Sequence, residues 1–262
     1  MRALILSDIH ANLEALNAVL EAASGSYDTI WNLGDLVGYG ASPNQVIDIV
    51  RPLAALNVRG NHDRVGSGLT SALGFNPIAR AAALWTQEEL TPDNLAWLRA
   101  VPSGPLHPEN TTAETIDASC AHGSPLNEDQ YILNMRDAWA PLQQMTTAIT
   151  FFGHTHIQGG FSQKEHDWHE VRPRYAAQNE AESWTLALPA GTRHLINPGS
   201  IGQPRDADWR AAFAIYDTQN QSSNGEATIT YHRVPYDLTA SQGRILMAGL
   251  PERLAARLRE GR

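Results

Sequence analysis

The sequence predicts a mixed α/β fold in a single domain, with two mixed sheets and helices outside them. The first half of the 262-residue chain alternates short apolar runs with longer amphipathic ones, which is typical of βαβ units. The last third returns to strand-like runs. No internal repeat, low-complexity tract or clear linker divides the chain, so we expect one domain over residues 1–262.

The first sixty residues are expected to hold three strands and two helices. The runs ALIL (3–6), TIWNL (29–33) and LNVR (56–59) are short and apolar, as buried strands are. The segment 12–22 is apolar on one side only, which indicates a helix. A second helix is predicted over 43–50, because a proline at its first position suits a first helical turn.

The middle of the chain is expected to contain more helix. Thr91 precedes Pro92 and is suited to be an N-cap. Helices are predicted at 77–90, 92–100 and about 135–145, and strands at TIDASCA (115–121) and AITFF (148–152).

The C-terminal part begins with a segment that has no sustained period. Residues 159–182 mix polar and aromatic residues without a regular period, and we expect an irregular excursion or a hairpin over the surface. Further strands are predicted at 183–188, 193–197, 211–217 and 226–234, and a final amphipathic helix at 251–260.

Composition and charge exclude several classes of protein. The net charge is −9 and the basic residues form no block, so no long nucleic acid is expected as a partner. Cys120 is the single cysteine, which excludes an internal disulfide framework and any multi-thiolate metal site. The chain has no secretory-type segment and no run of the roughly 20 apolar residues that a membrane span needs. We therefore expect a cytoplasmic protein without a membrane partner, and the sequence does not indicate an oligomeric state.

Oxygen and imidazole donors follow five of the strand-like runs. In an open α/β sheet the loops at the carboxyl ends of neighbouring strands meet in one crevice, so donors distant in sequence can lie together. The set contains carboxylates, imidazoles and one carboxamide but no thiolate, which suits divalent manganese, iron, zinc, nickel or cobalt, and it is large enough for two ions. The donors are Asp8, His10, Asp35, Asn61, His62, Asp63, His122, His154 and His156.

Such a set of donors indicates phosphoester hydrolysis. A carboxylate can bridge two cations, and the pair can clamp a phosphate and lower the pKa of a shared water to yield hydroxide near neutral pH. Gly34, Gly60 and Gly153 each come directly before donors. A residue without Cβ allows a sharp exit from the strand and a close approach of the backbone to an ion or phosphate.

The ordered motifs resemble those of the calcineurin-like metallophosphoesterases. D-x-H, G-D, G-N-H-[DE], a lone His and G-H-x-H all occur in that order over residues 8–156. NPGS at 197–200 resembles the strand-end turn of the small bacterial, phosphodiesterase-like branch. The resemblance implies a four-layer αββα sandwich with two divalent metal ions, manganese being the first expectation. It also implies a metal-dependent phosphoesterase that acts on a small phosphoester or nucleotide.

The resemblance assigns a role to each motif residue. His62 resembles the general acid of the family, which protonates the leaving alkoxide or stabilises the charge of the transferring phosphoryl group. Asp63 would fix the loop or a histidine tautomer. Asp35 would bridge the two metals. The first metal would be held by Asp8, His10 and His156, and the second by Asn61, His122 and His154.

Two positions depart from the protein serine/threonine phosphatase branch of the family. Gly38 and Tyr39 stand where that branch has an aspartate that orients the catalytic imidazole and an arginine that grips phosphate. The leading hypothesis is therefore a phosphodiesterase or nucleotide phosphohydrolase. The alternatives are a phosphomonoesterase or protein phosphatase of low specificity and, in another class, a non-catalytic scaffold that resembles the retromer subunit of this fold.

Three further features have more than one interpretation. Arg205 could reach the substrate phosphate with a bidentate fork or could pair with Asp206 or Asp208, and both alternatives stay open. Cys120 is expected to be a small buried apolar residue. The HDWH stretch at 166–169 is expected to lie in a solvated hairpin rather than to bind metal.

Overall fold

The computed structural model describes residues 1–108, 118–218 and 226–262. None of the helices in these ranges is both long and apolar enough to cross a membrane. The first half contains β1 (Arg2–Leu6), α1 (Leu13–Ala22), β2 (Thr29–Asn32), α2 (Pro43–Leu53), β3 (Leu56–Asn57), α3 (Asn61–Gly66), a 3-10 turn (Ala72–Gly74), α4 (Pro77–Glu89) and α5 (Pro92–Ala100). The second half contains β4 (Ala118–Cys120), α6 (Met135–Gln144), β5 (Ile149–Phe151), β6 (Gly159–Lys164), β7 (Asp167–Val171), β8 (Glu182–Leu188), β9 (Arg193–Asn197), β10 (Ala211–Asp217), β11 (Ala227–Val234), α7 (Leu238–Met247) and α8 (Glu252–Glu260).

The strands form two mixed sheets. The first has the order β3-β2-β1-β10-β11-β8, in which β3, β2 and β1 are parallel and the remaining pairs are antiparallel. The second has the order β4-β5-β9-β6-β7, in which β4, β5 and β9 are parallel. The predicted mixed α/β class is confirmed.

Alternation along the strands builds the layers. On β1, Ile5 packs against the second sheet, whereas Leu4 and Leu6 pack against α1 and α2 on the outer face, since successive strand residues point to opposite faces. Helix α6 covers the outer face of the second sheet through Ala138 and Leu142. The result is the helix–sheet–sheet–helix sandwich that the family resemblance implied.

Several predicted boundaries were wrong. Helix α2 continues three residues past its predicted end at Val50 and includes Pro52 in its last turn. The strand predicted at 56–59 has only two residues in the ladder. The strand predicted at 115–121 is observed as β4 from residue 118, and residues 115–117 lie outside the described ranges.

Two helices were not predicted from the sequence, whereas for 159–182 the hairpin, one of the two predicted alternatives, is observed. Helix α3 begins at Asn61, inside a predicted metal motif, and α7 contains Gly243 and has weak apolar periodicity. Within 159–182 the chain forms the hairpin β6–β7, which extends the second sheet through β9. Gly160 interrupts the alternation of side chains that indicates a strand. Glycine is required there, because a Cβ would lie 2.1 Å from the carbonyl oxygen of Leu195.

A buried ion-pair network holds the start of β10. Arg210 has no exposed surface, and its guanidinium donates to Asp208 at 2.6 Å and to the backbone oxygen of Glu180 at 2.6 Å. Burial alone would raise the pKa of Asp208, but the hydrogen bonds from Arg210 and the charge of Arg233 lower it overall. The network therefore stabilises the fold with the carboxylate ionised.

Replacement of Arg210 by alanine is expected to lower the free energy of unfolding by about 3–5 kcal/mol at neutral pH, because it leaves a partly buried carboxylate without its partner. Urea denaturation measures this loss. Arg2→Ala, which removes an exposed pair with Asp28, should cost far less, because water and salt screen an exposed ion pair. Since the pKa of Asp208 is lowered, its contribution should disappear as the pH falls below about 3.9. Equal losses in the two variants would contradict this account of Arg210.

Candidate metal centre

The predicted donors are brought to one edge of the sandwich by the parallel strands of both sheets. Asp8, Asp35 and Asn61 follow β1, β2 and β3, while His122 and His154 follow β4 and β5. The backbone N–H of His154 lies 3.2 and 3.1 Å from the two carboxylate oxygens of Asp8. This contact joins the edges of the two sheets at the centre of the donor set.

The donors fall into two groups that share one carboxylate. In each group the candidate ligand atoms all lie within 4.8 Å of one another. Asn61 Oδ1 lies 3.0 Å from Nε2 of His122 and so belongs beside the second group. The first group contains Asp8, His10, Asp35 and His156, and the second contains Asp35, His122 and His154. All seven predicted ligands therefore lie together, with Asp35 between the groups, and their roles as ligands stay a prediction.

Histidine tautomers in the first group favour a cation. Nδ1 of His10 lies 3.0 Å from the carbonyl oxygen of Val37, and Nδ1 of His156 lies 2.6 Å from that of Gln203. A carbonyl only accepts, so each Nδ1 carries the proton and each neutral ring turns an Nε2 lone pair inward. The two Nε2 atoms face each other at 3.1 Å. Two lone pairs at that distance repel, and a cation between them resolves the repulsion.

The second group has the same character. Nδ1 of His122 donates to the carbonyl oxygen of Leu33 at 2.9 Å, so its Nε2 also points inward. That Nε2 lies 3.3 Å from Asp35 Oδ2 and 3.0 Å from Asn61 Oδ1, both of which are acceptors. Either a proton on the imidazole or a metal ion satisfies the three atoms, and metal binding releases the proton.

Burial makes the carboxylates of the site costly to ionise without a cation beside them. Burial raises the pKa of Asp8 to about 7, with His122 opposing the rise and Asp35 adding to it. Burial and the charge of Asp35 raise the pKa of Asp63 to about 7. Burial alone would lower the pKa of His122, but Asp35 raises it to about 10. The donor set thus fits two divalent cations, which supply the missing positive charge.

The backbone of the site is held in a strained conformation. Five of the seven predicted ligands have a positive φ between 49° and 66°, a region that costs a residue with Cβ roughly 1–2 kcal/mol. Such residues persist only where the surrounding structure imposes the conformation, and they cluster at functional sites. The five are Asp8, His10, Asp35, His154 and His156.

The NPGS turn and a glycine lock these loops in place. Asn197 Nδ2 donates to the carbonyl oxygen of Gly153 at 3.0 Å, and Ser200 Oγ donates to the backbone oxygen of Asp8 at 2.7 Å. A Cβ on Gly60 would lie 2.0 Å from Oδ1 of Asp35. A glycine is therefore required at that position for the backbone to approach the shared carboxylate.

Asp63 binds backbone rather than a histidine ring. Its Oδ2 accepts from the N–H groups of Asp35 at 2.8 Å and Gly60 at 3.0 Å, and its Oδ1 accepts from Val37 at 3.2 Å. Of the two roles predicted for Asp63, these contacts fit the loop-fixing one. They hold the β2 and β3 loops at the spacing that the shared carboxylate of Asp35 needs.

His62 lies beside the donor groups without joining them. Its backbone N–H donates to Asp35 Oδ1 at 2.8 Å, and its ring lies between Tyr39 and Phe75, with centroid distances of 4.3 and 4.6 Å. Burial is the main cause that lowers its pKa to about 4, so the free imidazole is neutral at neutral pH. Nδ1 is buried with no hydrogen-bond partner among the described residues, and it faces Gly38.

Gly38 is required for the position of the His62 ring. It has φ +89°, and a Cβ there would lie 2.5 Å from His62 Nδ1. Gly38→Ala is therefore expected to displace the ring and to lower turnover by about 10²-fold, as a misplacement of about 1 Å can, while metal content stays unchanged. Gly25→Ala is the matched control, since Gly25 has φ +74° but nothing within 4 Å of its Cβ position. Equal turnover in the two variants would contradict the steric argument.

Arg205 is not paired with either aspartate that the sequence offered. Asp206 pairs with Arg233, and Asp208 pairs with Arg210. The nearest polar contacts of Arg205 are long, at 3.4 Å from Nη2 to Tyr39 Oη and to Gln203 Oε1. The predicted pairing with Asp206 or Asp208 is thus not observed, and a contact of Arg205 with a substrate phosphate stays a prediction.

Sequence reasoning missed Tyr131 at the rim of the site and identified Tyr39 only as a departure from one branch of the family. The ring of Tyr131 stacks on that of His154 at 4.1 Å, and Tyr39 lies 4.6 Å from the ring of His10. Arg64 holds the Tyr131 loop against α3 by pairing with Glu128 and Asp129. Tyr131 follows no motif, so only long-range packing identifies it.

Two features lie outside the site, in agreement with their simpler interpretations. Cys120 is fully buried in the core between the sheets, and burial raises the pKa of its thiol. His166 and His169 are exposed in and beside the β6–β7 turn.

Comparison with known proteins agrees with the geometry. A family model described as the calcineurin-like phosphoesterase superfamily domain matches residues 1–221. The uncharacterised protein MJ0912 of Methanocaldococcus jannaschii is 34% identical over 260 residues, which cover 98% of this chain and 97% of that protein. The crystal structure of a metallophosphoesterase from Sphaerobacter thermophilus is 38% identical, with a TM-score of 0.79 over 100% of this chain and 99% of that chain. This chain therefore belongs to the calcineurin-like phosphoesterase superfamily.

Proposed function

We propose that this protein is a metal-dependent phosphohydrolase that acts on small phosphodiesters or on nucleotide-type phosphoanhydrides. The observation that carries the proposal is the pair of donor groups that share Asp35. Two cations held a few ångströms apart are a common solution for stabilising both the attacking and the leaving oxygen of a phosphoryl transfer. The family membership supports the reaction class, and the residues around the centre support the choice of substrate.

Manganese is the proposed metal, in two ions per chain. The donors are carboxylates, imidazoles and an amide oxygen without any thiolate, a combination that manganese accepts and that also suits iron, zinc, nickel or cobalt. When bound, the ions lower the pKa of water and polarise the phosphoryl oxygens. Asp8, His10 and His156 would hold one ion and Asn61, His122 and His154 the other, with Asp35 shared.

The side chains around the donors would position the substrate and assist its hydrolysis. The ring of His62 lies 4.9 Å from that of His10, beside the first group. The neutral ring would stabilise the transferring phosphoryl group by donating a hydrogen bond, or would protonate the leaving oxygen where the negative charge of a bound substrate raises its pKa. Asp63 would keep the two loops in register through its three backbone contacts. Arg205 would bind a phosphoryl oxygen of the substrate.

The pocket around His62 argues against the mechanism of protein serine/threonine phosphatases. Those enzymes orient the imidazole with an aspartate, whereas here Gly38 stands at that position and leaves no space for a carboxylate. Tyr39 likewise replaces the phosphate-binding arginine and packs on His62 instead. A small substrate that carries a second substituent on its phosphorus is therefore a better match than a phosphoprotein.

Hydrolysis of model substrates tests this function. The manganese-loaded protein should hydrolyse bis(p-nitrophenyl) phosphate faster than p-nitrophenyl phosphate, and treatment with EDTA should abolish both activities. A clear preference for the monoester would favour a phosphomonoesterase. Two bound metals by elemental analysis with no turnover of any phosphoester would favour a non-catalytic scaffold.

A further inference from the structure

Two arginines from distant parts of the chain lie around one aromatic ring at the rim of the metal centre. The guanidinium carbon of Arg205 lies 5.9 Å from the ring centroid of Tyr39, and that of Arg257 on α8 lies 5.6 Å from it. The same ring contacts His10 and His62. Both cations therefore lie next to residues proposed to hold metal and to act on the substrate.

Neither arginine forms an ion pair with an acidic residue in the described parts of the chain. Nε of Arg205 is buried without a hydrogen-bond partner there, and Nε of Arg257 donates to the backbone oxygen of Arg262. Burial, followed by the charge of Arg205, lowers the pKa of Arg257. Two half-buried guanidiniums that repel each other and form no close ion pair have affinity for an anion.

Backbone contacts hold together the two segments that carry Arg205 and Arg257. The N–H of Ala207 donates to the carbonyl oxygen of Gly261 at 3.0 Å, which ties the loop that carries Arg205 to the end of α8. Gly261 ends that helix with φ +61°, and a Cβ there would lie 2.6 Å from the backbone nitrogen of Asp208. Because the end of α8 lies this close to the loop, the backbone that carries Arg257 has a fixed position relative to Arg205. Helix α8 lies beyond residues 1–221, the part that the family model matches.

The two cations differ in their reach toward the metal centre. The backbone N–H of Arg205 donates to the carbonyl oxygen of His156 at 3.1 Å, so Arg205 lies directly beside a predicted ligand of the first donor group. Arg257 lies on α8 and meets the site at the ring of Tyr39. Arg205 is thus placed for the phosphoryl group at the metals, and Arg257 for an anionic group farther out.

We propose that Arg257, together with Arg205, forms a subsite for a second phosphoryl group, so that the preferred substrate is a phosphoanhydride, such as a nucleoside polyphosphate, and not a simple diester. This inference rests on the proposed phosphohydrolase function. In the reaction, the oxygen of water bonds to one phosphorus and the P–O bond to the neighbouring phosphate breaks, while the two products take up the two protons of water. The neighbouring phosphate leaves with its charge held by the guanidiniums.

Binding of imidodiphosphate, a diphosphate mimic with a bridging nitrogen, tests the subsite. With manganese-loaded protein, isothermal titration calorimetry should show an affinity for imidodiphosphate at least about 10-fold weaker in Arg257→Gln, since charged hydrogen bonds contribute about 1.5–3 kcal/mol. The affinity for orthophosphate should change less than about threefold. Arg257→Lys should recover part of the loss, because it keeps the charge but not the fork.

Arg259→Gln is the matched control. It removes the same charge from the same helix, but at about 200° around the helix axis from Arg257, where the side chain is exposed. Its affinity for imidodiphosphate should equal that of the unaltered protein. In a double-mutant cycle, Arg205→Gln and Arg257→Gln should be non-additive for imidodiphosphate, because both side chains hold one anion.

The possible outcomes separate this inference from the proposed function. Unchanged imidodiphosphate binding in Arg257→Gln, in a protein that hydrolyses diesters, overturns the subsite and leaves the function standing. Binding that depends on Arg257, in a protein that hydrolyses no phosphoester, upholds the subsite and overturns the function. If Arg257 only caps the end of α8, its replacement should lower the thermal midpoint and leave the affinity ratio of the two anions unchanged.

Discussion

Asp35→Asn is expected to lower the metal content from two ions to one or none per chain and to reduce turnover by at least about 10³-fold. Asp35 Oδ2 lies 3.6 Å from Nε2 of His10 and 3.3 Å from Nε2 of His122, one in each donor group. An amide offers only one weak oxygen ligand and turns N–H groups toward the cations. The lost stabilisation of transition-state charge, several kcal/mol, corresponds to about three decades in rate. Elemental analysis and turnover of a diester measure the two effects.

The fold of this variant should survive. In the metal-free protein the new amide can donate to the inward lone pair of one histidine, so the thermal midpoint in EDTA should not fall. Asp48→Asn is the control, because Asp48 accepts from Asn94 between α2 and α5, on helices outside the donor groups. Retention of two metals by the Asp35 variant would show that the carboxylate is not shared between them.

His62→Ala is expected to keep both metals and to lose most turnover, by about 10²–10⁴-fold, the usual contribution of a positioned proton donor. The ring contributes no atom to either donor group, so its removal takes away the contact with the leaving oxygen and leaves the ligands in place. The backbone N–H at position 62 still supports Asp35 in this variant. Metal content and kcat on a diester are the measurements.

A second buried histidine provides the control for His62. His194 on β9 is also buried, has its pKa lowered to about 4 by burial, and bonds Ser162 through Nδ1 at 2.8 Å. His194→Ala should leave kcat within about threefold of the unaltered enzyme. Full activity of His62→Ala, or an equal loss in both histidine variants, would refute the role given to His62.

Much of the site could be predicted because its signals are local in sequence. Each donor follows a short apolar run, and parallel strands bring their carboxyl ends to one edge. The glycines were equally readable, since the sharp exits at Gly34 and Gly60 demand residues without Cβ. Strand β6 could not be predicted from its local sequence, because Gly159 and Gly160 remove the alternation of apolar and polar side chains that indicates a strand.

The rim of the site could not be predicted for a different reason. Tyr131 meets His154, and Arg257 meets Tyr39, through contacts between segments that are far apart in sequence. Arg257 is one of several arginines on an amphipathic C-terminal helix, and nothing in its neighbours distinguishes it from Arg259. Likewise, only the packing shows that the two aspartates beside Arg205 pair with other arginines.

By itself, the sequence determined the α/β class, the order of the metal motifs and therefore the family, because strand periodicity and ligand type are properties of short segments. The tertiary structure alone decided how the donors and their neighbours lie together: the place of Asp35 in both donor groups, the steric fit of His62 to Gly38 and the approach of Arg205 and Arg257 to one ring. These arrangements bring together residues that are far apart in sequence. Only the packing of the two sheets and the last helix sets the distances between them.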